Sequence, residues 1–546
     1  MRGSLLVCGT HSDAGKSVIS AGLCRWLSRE GVKVAPFKAQ NMALNSYVAL
    51  DGNGEGAEIG RAQAAQAAAA GVEPEAAMNP VLLKASASNR TQVIVMGKAH
   101  SDATAMSYQS MKRSLMPVVL EAFEGLRSRY DVVVCEGAGS PAEINLRKND
   151  LANMGLARVA NVPTVLVGDI DRGGLFASIY GTMMLLSEED RSLVGGFIVN
   201  KFRGDSAVLQ PGLEEMAHLT GRPFYGTIPF SPGLELDGED SLALDKPRET
   251  KPPLSRDTIR VAVARLPRIS NFTDFDPLSH EPGVEVRFVR SAADLLAADL
   301  AILPGTKATL EDLAWLRAVG MNRAVSERAR RGLPTLGICG GYQMLGETIT
   351  DESGVESEDR EIAGLGLLPI ETAFEEGKIL ARSSGKAPAF GGAEVSGYEI
   401  RHGRVRRASS EPLFLGDGFE EGCRSGNVLG TSWHGVLESD GFRRELLVMV
   451  ARERGLRWVT GDESFAAARE ARFERLGDLV ADNLDRDALL RLIEGDAAHS
   501  RRQPNVSRQR TADSEGATRE ASSPSGNGVS VPAPPRFPAS ERKGSI

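Results

Sequence analysis

Cysteine is scarce in this chain. Only Cys8, Cys24, Cys135, Cys339 and Cys423 occur in 546 residues. They are scattered, with no C-x-x-C pair, so neither a disulfide framework nor a thiolate zinc site is expected. No apolar run reaches membrane-spanning length. The stretch Met1–Gly9 lacks a small-residue cleavage site and leads straight into a motif, so a cytoplasmic protein with no membrane partner is expected. Net positive charge is also missing: the balance is −8, which argues against broad nucleic-acid binding. Aromatic residues make up only 5%, whereas glycine is plentiful at 59 residues, as suits a loop-rich α/β protein. No repeat of solenoid period appears. The length calls for two or more domains.

What is present begins with an apolar run over residues 4–9, read as a buried strand. Gly9-Thr-His-Ser-Asp-Ala-Gly-Lys-Ser17 follows, and then a helical run from Val18 to Arg29. Strand, glycine-bearing loop and helix form a phosphate cradle. Backbone N–H groups from Thr10 to Gly15 can turn inward, Lys16 adds a point charge at the β- and γ-phosphates, and Ser17 can ligate Mg2+. The first position of the usual G-x-x-x-x-G-K-[ST] window is Thr10, with Gly9 one residue outside it. A second strand, Lys33–Lys38, runs into Ala-Gln-Asn-Met-Ala-Leu-Asn-Ser46, whose amides fit either a ligand crevice or a capped loop. Glu58-Ile-Gly-Arg-Ala-Gln63 opens an alanine-rich helix, with Glu58 and Gln63 facing either the site or solvent. Another buried strand ends at Glu136, a carboxylate beside the phosphate loop where Mg2+ is usually held. Runs ending at Asp169 and Asn200 repeat the strand pattern, which predicts a doubly wound parallel sheet over residues 1–241.

Residues 242–258 are rich in proline and charge and read as a linker. A second doubly wound α/β domain is expected over 259–450, a helical extension over 451–495, and a disordered tail over 496–546. Within the second domain, Thr335-Leu-Gly-Ile-Cys339-Gly-Gly-Tyr-Gln343 reads as a strand entering a sharp turn and a helix, the setting of an exposed nucleophile. His280, His402 and His434 are its available bases. His434 sits at an apparent strand end before a glycine and is the best candidate. Gly305, after another strand, and Gly340 could lend N–H groups to an oxyanion hole.

These residues carry a resemblance. Gly337-Ile-Cys339-Gly-Gly-Tyr-Gln343, with His434 downstream, resembles the class I glutamine amidotransferase domain, in which the cysteine forms a γ-glutamyl thioester and releases ammonia. The glutamate that usually lies two residues after the histidine is replaced by Val436, with Glu438 four residues after His434. This is similar to the cobyric and cobyrinic acid amidase variant, which resembles a Cys–His dyad. The phosphate loop resembles that of dethiobiotin synthetase, and Pro36–Ser46 with Glu58–Gln63 resembles the cobyric acid synthase family. In Tyr398-Glu-Ile-Arg401-His402, Arg401 takes the place where that family commonly has histidine.

The resemblance implies ATP- and glutamine-dependent amidation of the b, d, e and g carboxylates of adenosylcobyrinic acid a,c-diamide through an acyl phosphate. Glutamine, ATP and that corrinoid are the implied partners. ATP is a co-substrate, Mg2+ the metal, and no organic cofactor is bound; a homo-oligomer is left open. Ser17, Glu136 and, more weakly, Glu58 are the implied Mg2+ ligands, Lys38 neutralises phosphate or substrate, and Asn200 touches adenine. Three readings stay open beside it: cobyrinic acid a,c-diamide synthase, an amidating ligase for a cell-wall lipid intermediate, and a regulatory P-loop ATPase with an inactive amidotransferase-like module.

Overall fold

The structure is a computed structural model, and residues 1–85, 91–234, 236, 244, 250–356 and 360–495 are described. The tail expected over 496–546 lies outside them, as do residues 242, 243 and 245–249 of the linker expected over 242–258.

The first sheet is built from β1 (Gly3–Gly9), β2 (Val34–Phe37), β3 (Val132–Glu136), β4 (Thr164–Asp169), β5 (Val194–Phe202) and β6 (Phe224–Pro229). Their order is β6-β5-β4-β1-β3-β2, all parallel. Leu5, Leu6, Val7 and Cys8 are fully buried, because helices cover both faces of a parallel sheet and leave no polar side. The helix α1 (Lys16–Arg29) starts at the carboxyl end of β1. The strand ends gather the phosphate loop, Glu136, Asp169 and Asn200 at one edge, where open α/β sheets bind ligands.

The second sheet contains β7 (Ile259–Ala264), β8 (Val284–Val289), β9 (Leu300–Leu303), β10 (Thr335–Ile338), β11 (Cys423–Ser425) and β12 (Val428–Thr431). It runs β8-β7-β9-β10-β12-β11 and is parallel except for the β11–β12 pair. The neighbours β9, β10 and β12 end just before Gly305, Cys339 and His434. Hydrogen-bonded register thus delivers three residues that are far apart in the sequence to one sheet edge.

Two features were not visible in the sequence pattern. A long antiparallel pair, Ile370–Ala387 with Ala393–Arg407, projects from the second domain and grips the first-domain hairpin Ser46–Leu50/Gly56–Gly60. Arg382 reaches Val48 O at 2.7 Å and Glu73 at 3.0 Å across that contact. The C-terminal helices α3 (Phe465–Asn483) and α4 (Arg486–Ile493) return to the first domain. Leu476 and Val480 pack with α1 in its apolar layer, and Arg29 pairs with Asp478 at 2.6 Å.

Candidate active site

Cys339 is held in a conformation that side chains avoid, with φ 51° and ψ −111°, at the joint between β10 and the short helix α2 (Gly340–Leu345). Such strain persists only where its surroundings enforce it. Here the enforcement is close packing: a Cβ on Gly341 would sit 2.0 Å from Leu303 O, so only glycine lets the turn lie against β9. Gly305 and Gly340 lie on the two segments that meet beside Cys339. Gly305 packs against the His434 ring, and Gly340 against Thr306.

His434 exchanges two backbone hydrogen bonds with Tyr398, at 2.8 and 3.0 Å, and the two rings stack at 5.6 Å. Its Nδ1 meets Asp274 Oδ2 at 2.7 Å, while Gly435 N–H donates to Asp274 Oδ1 at 2.9 Å. Cys339 and His434 line the same cavity, and the Cys339 thiol donates to Ile400 O at 3.9 Å. Burial disfavours the charged ring, but the Asp274 carboxylate and Cys339 outweigh it and hold His434 up at about 10. Cysteine, imidazole and carboxylate therefore form a buried line, the arrangement of an activated nucleophile.

Asp274 was missed by sequence reasoning. The resemblance implied a two-residue pair, and the first acid after the histidine is Glu438. That carboxylate turns away, to Arg61 at 2.5 Å and Arg469 at 2.9 Å. Asp274 instead comes from a turn, Phe272–Phe275, in the segment after β7. Its only sequence signal is an acid between two phenylalanines, which must find a partner once buried.

The cavity at Cys339 and His434 is also lined by Lys307, Lys378, Arg401 and His402, and by Lys84 from the first domain. Arg401 and His402 both reach it, since the β pairing is irregular between Phe374 and Ile379, opposite them. Burial, aided by Lys378 and Lys307, pushes His402 down to about 4, so it stays neutral.

At the other sheet, Gly15 has φ 101°, and a Cβ there would lie 2.0 Å from Asn200 Nδ2. Asn200 itself donates to Ala14 O at 2.9 Å and so fixes the loop it was expected to serve from the adenine side. Lys16 donates to His11 O at 3.2 Å and Gly139 O at 3.1 Å, bridging two loops. Thr10 N–H donates to Val167 O at 2.9 Å. Ser17 Oγ donates to Glu136 Oε1 at 2.8 Å, so these two expected metal ligands come together. Lys38 pairs with Glu136 Oε1 at 2.9 Å, and Gln66 donates to Oε2 at 2.5 Å. Burial works against the charge on Glu136, but Lys38, Gln66 and Ser17 overcome it and hold the carboxyl low.

Glu58, the weaker expected ligand, is drawn elsewhere. Its Oε1 accepts from Ser46 Oγ and Lys84 Nζ, each at 2.7 Å, and Oε2 pairs with Lys378 of the second domain. Its partners are thus Ser46, Lys84 and Lys378, and among the described residues none of these hydrogen-bonds or ion-pairs with Ser17 or Glu136. Among the described residues no group of three or more His, Cys, Asp or Glu side chains converges as a metal cage.

Residues 5–243 match the CobQ/CobB/MinD/ParA nucleotide binding domain, and residues 260–442 match the CobB/CobQ-like glutamine amidotransferase domain. The cobyric acid synthase of Frankia casuarinae is 53% identical over 516 residues, covering 90% of this chain and 97% of that one. That of Streptomyces avermitilis is 53% identical over 504 residues, covering 91% and 97%. A phosphate loop on one sheet, a cysteine–histidine–aspartate line on the other and this likeness along nearly the whole length agree: the chain belongs to the cobyric acid synthase family, a family of glutamine-hydrolysing ligases.

Proposed function

We propose that the chain converts adenosylcobyrinic acid a,c-diamide to adenosylcobyric acid in cobalamin biosynthesis, amidating its b, d, e and g carboxylates at the expense of ATP and glutamine. The observation that carries this reading is the pairing of Cys339, His434 and Asp274 in a chain that also builds a phosphate loop.

A carboxylate resists attack because its leaving group would be oxide. Transfer of the γ-phosphoryl group converts it to an acyl phosphate, whose phosphate leaves when ammonia attacks. Lys16 and the loop amides offset charge on the transferred group. Ser17 and Glu136 supply hard oxygen donors and fit Mg2+, which takes one or two protein ligands and fills its other positions with phosphate and water. When bound, that ion would offset the phosphate charge. Lys38, 2.9 Å from Glu136 Oε1, adds an ammonium beside that position.

In the second domain the thiolate of Cys339 attacks the glutamine amide carbon. His434, oriented by Asp274, delivers a proton to the departing nitrogen, and water then cleaves the thioester to glutamate. The N–H groups near Gly305 and Gly340 are the proposed oxyanion donors. Ammonia passes internally to the acyl phosphate, because bulk water at neutral pH would protonate it. No described helix is long and apolar enough to cross a membrane; a cytoplasmic setting, where ATP and glutamine are supplied, belongs to the same proposal.

Mass spectrometry of the products from corrinoid, ATP, Mg2+ and glutamine tests the reading. Addition of four amides supports it. Amidation confined to the a and c positions of cobyrinic acid would assign the chain to the a,c-diamide synthase reaction instead.

A further inference from the structure

The turn that carries Asp274 is not held by its own domain alone. Asn271, just before it, has φ 52° and is buried. Two reciprocal hydrogen bonds fasten the turn to the first domain: Ser46 N–H donates to Asn271 Oδ1 at 2.9 Å, and Phe272 N–H donates to Asn45 Oδ1 at 3.1 Å. Asn45 and Ser46 are fully buried, so neither bond is replaced by water without rearrangement.

Two further ties reach the histidine from the same stretch of chain. The Tyr47 ring meets Tyr398 edge-on at 5.0 Å, and Tyr398 in turn stacks on His434 and pairs with its backbone. Arg61 pairs with Glu438 at the end of the Val436–Glu438 turn that follows His434. The carboxylate and the imidazole are thus both located by the segment Asn45–Arg61 of the other domain. Its own origin lies by the phosphate site, since the chain leaves β2 through Lys38, the partner of Glu136.

We infer that Asn45 and Ser46 of the nucleotide-binding domain, through Asn271 and Phe272, are positioning residues for glutamine hydrolysis. They fix the turn that aims Asp274 at His434. The glutaminase site is complete only when the two domains are docked. The inference rests on the glutaminase reading proposed above.

The test is made on the full-length protein with glutamine alone, reading glutamate release. Asn271→Gly tolerates the positive φ and removes the acceptor for Ser46, together with the Nδ2–H donor to Tyr398 OH at 3.4 Å. Asn45→Leu is therefore the variant that isolates the bond between domains. The expected result is a fall in kcat of about tenfold to a hundredfold, because misplacement on the order of 1 Å is that costly. KM should stay within about threefold, and the alkaline limb of the pH profile should move down as Asp274 loosens. Asn271→Asp keeps the acceptor and should restore most of kcat. Asn45→Leu, which removes the acceptor for Phe272, should reproduce the kcat loss from the other side of the junction. Ammonia-driven amidation by Asn271→Gly should stay near that of the unaltered protein.

An unchanged kcat in both variants overturns the inference. So does a rise in KM alone, which would mean that Asn271 merely touches glutamine. Equal loss of glutamine- and ammonia-driven activities without rescue by Asn271→Asp would mean a purely structural role. If the unaltered protein releases glutamate but amidates no corrinoid with ammonia, the function proposed above fails while the present inference is still read from glutamate release.

Discussion

Asp274 Oδ2 lies 2.7 Å from His434 Nδ1, although the two residues are 160 positions apart. The acid precedes the histidine in the chain, whereas the usual glutamate of class I amidotransferases follows it by two residues. Asp274→Asn keeps the size but lets the amide present the wrong group to Nδ1. Glutamate release should then fall by about 10²–10⁴ in kcat. Ammonia-driven amidation should change little, since it bypasses the triad. A steady-state assay of both activities checks this.

The charge on His434 sets a pH dependence. Its folded-state value near 10 lies above the ordinary 6.5. The pairing with Asp274 therefore contributes stability fully below pH 6.5, and that contribution is lost as pH rises through about 10. The alkaline limb of glutaminase kcat/KM should fall in the same upper range. In Asp274→Asn the limb should move toward neutrality. A limb at the same pH in both proteins would mean that Asp274 does not hold the imidazolium.

His402 acts in the opposite sense. It is kept neutral at about 4, so the unfolded chain takes up a proton first as pH falls below 6.5. By pH 4 this costs roughly 3 kcal/mol of stability, from about 1.4 kcal/mol per unit. His402→Asn should flatten the acid side of the stability curve, as urea midpoints at pH 7 and pH 4.5 would reveal.

At the phosphate site, Glu136→Gln should abolish ATP-dependent amidation with either nitrogen source while glutamate release persists. Removing Mg2+ with a chelator should do the same to the unaltered protein. Parallel assays of glutamate and corrinoid product separate the two sites.

Much of this was legible in the sequence, for physical reasons. Buried parallel strands read as unbroken apolar runs, and each functional loop follows one directly. That is how Lys16, Ser17, Glu136, Cys339 and His434 could be singled out, and the structure draws Ser17 to Glu136 and sets Cys339 and His434 on one cavity. The rest depends on contacts between distant segments. Asp274 lies in an irregular turn with no periodicity. Glu58 was read as opening a helix, yet it sits on the strand Gly56–Gly60, and its second-domain partner Lys378 lies 320 residues away. The long hairpin Ile370–Arg407 alternates too weakly to reveal that it bridges two domains.

The elbow at Cys339 offers a stability test. Gly341→Ala puts a methyl 2.0 Å from the Leu303 carbonyl oxygen, which is main chain and cannot swing aside. A loss of about 3 kcal/mol is expected, at the upper end for overpacking. It should appear as a lower Tm together with loss of glutamate release.

The most direct test of the central claim, that Cys339 makes ammonia for a carboxylate activated in the other domain, is Cys339→Ala assayed with corrinoid, ATP and Mg2+. Glutamine should give no product, and a high concentration of ammonia should restore amidation, read as amide additions by mass spectrometry. Loss of amidation with both nitrogen sources, in a protein that remains folded, would contradict it.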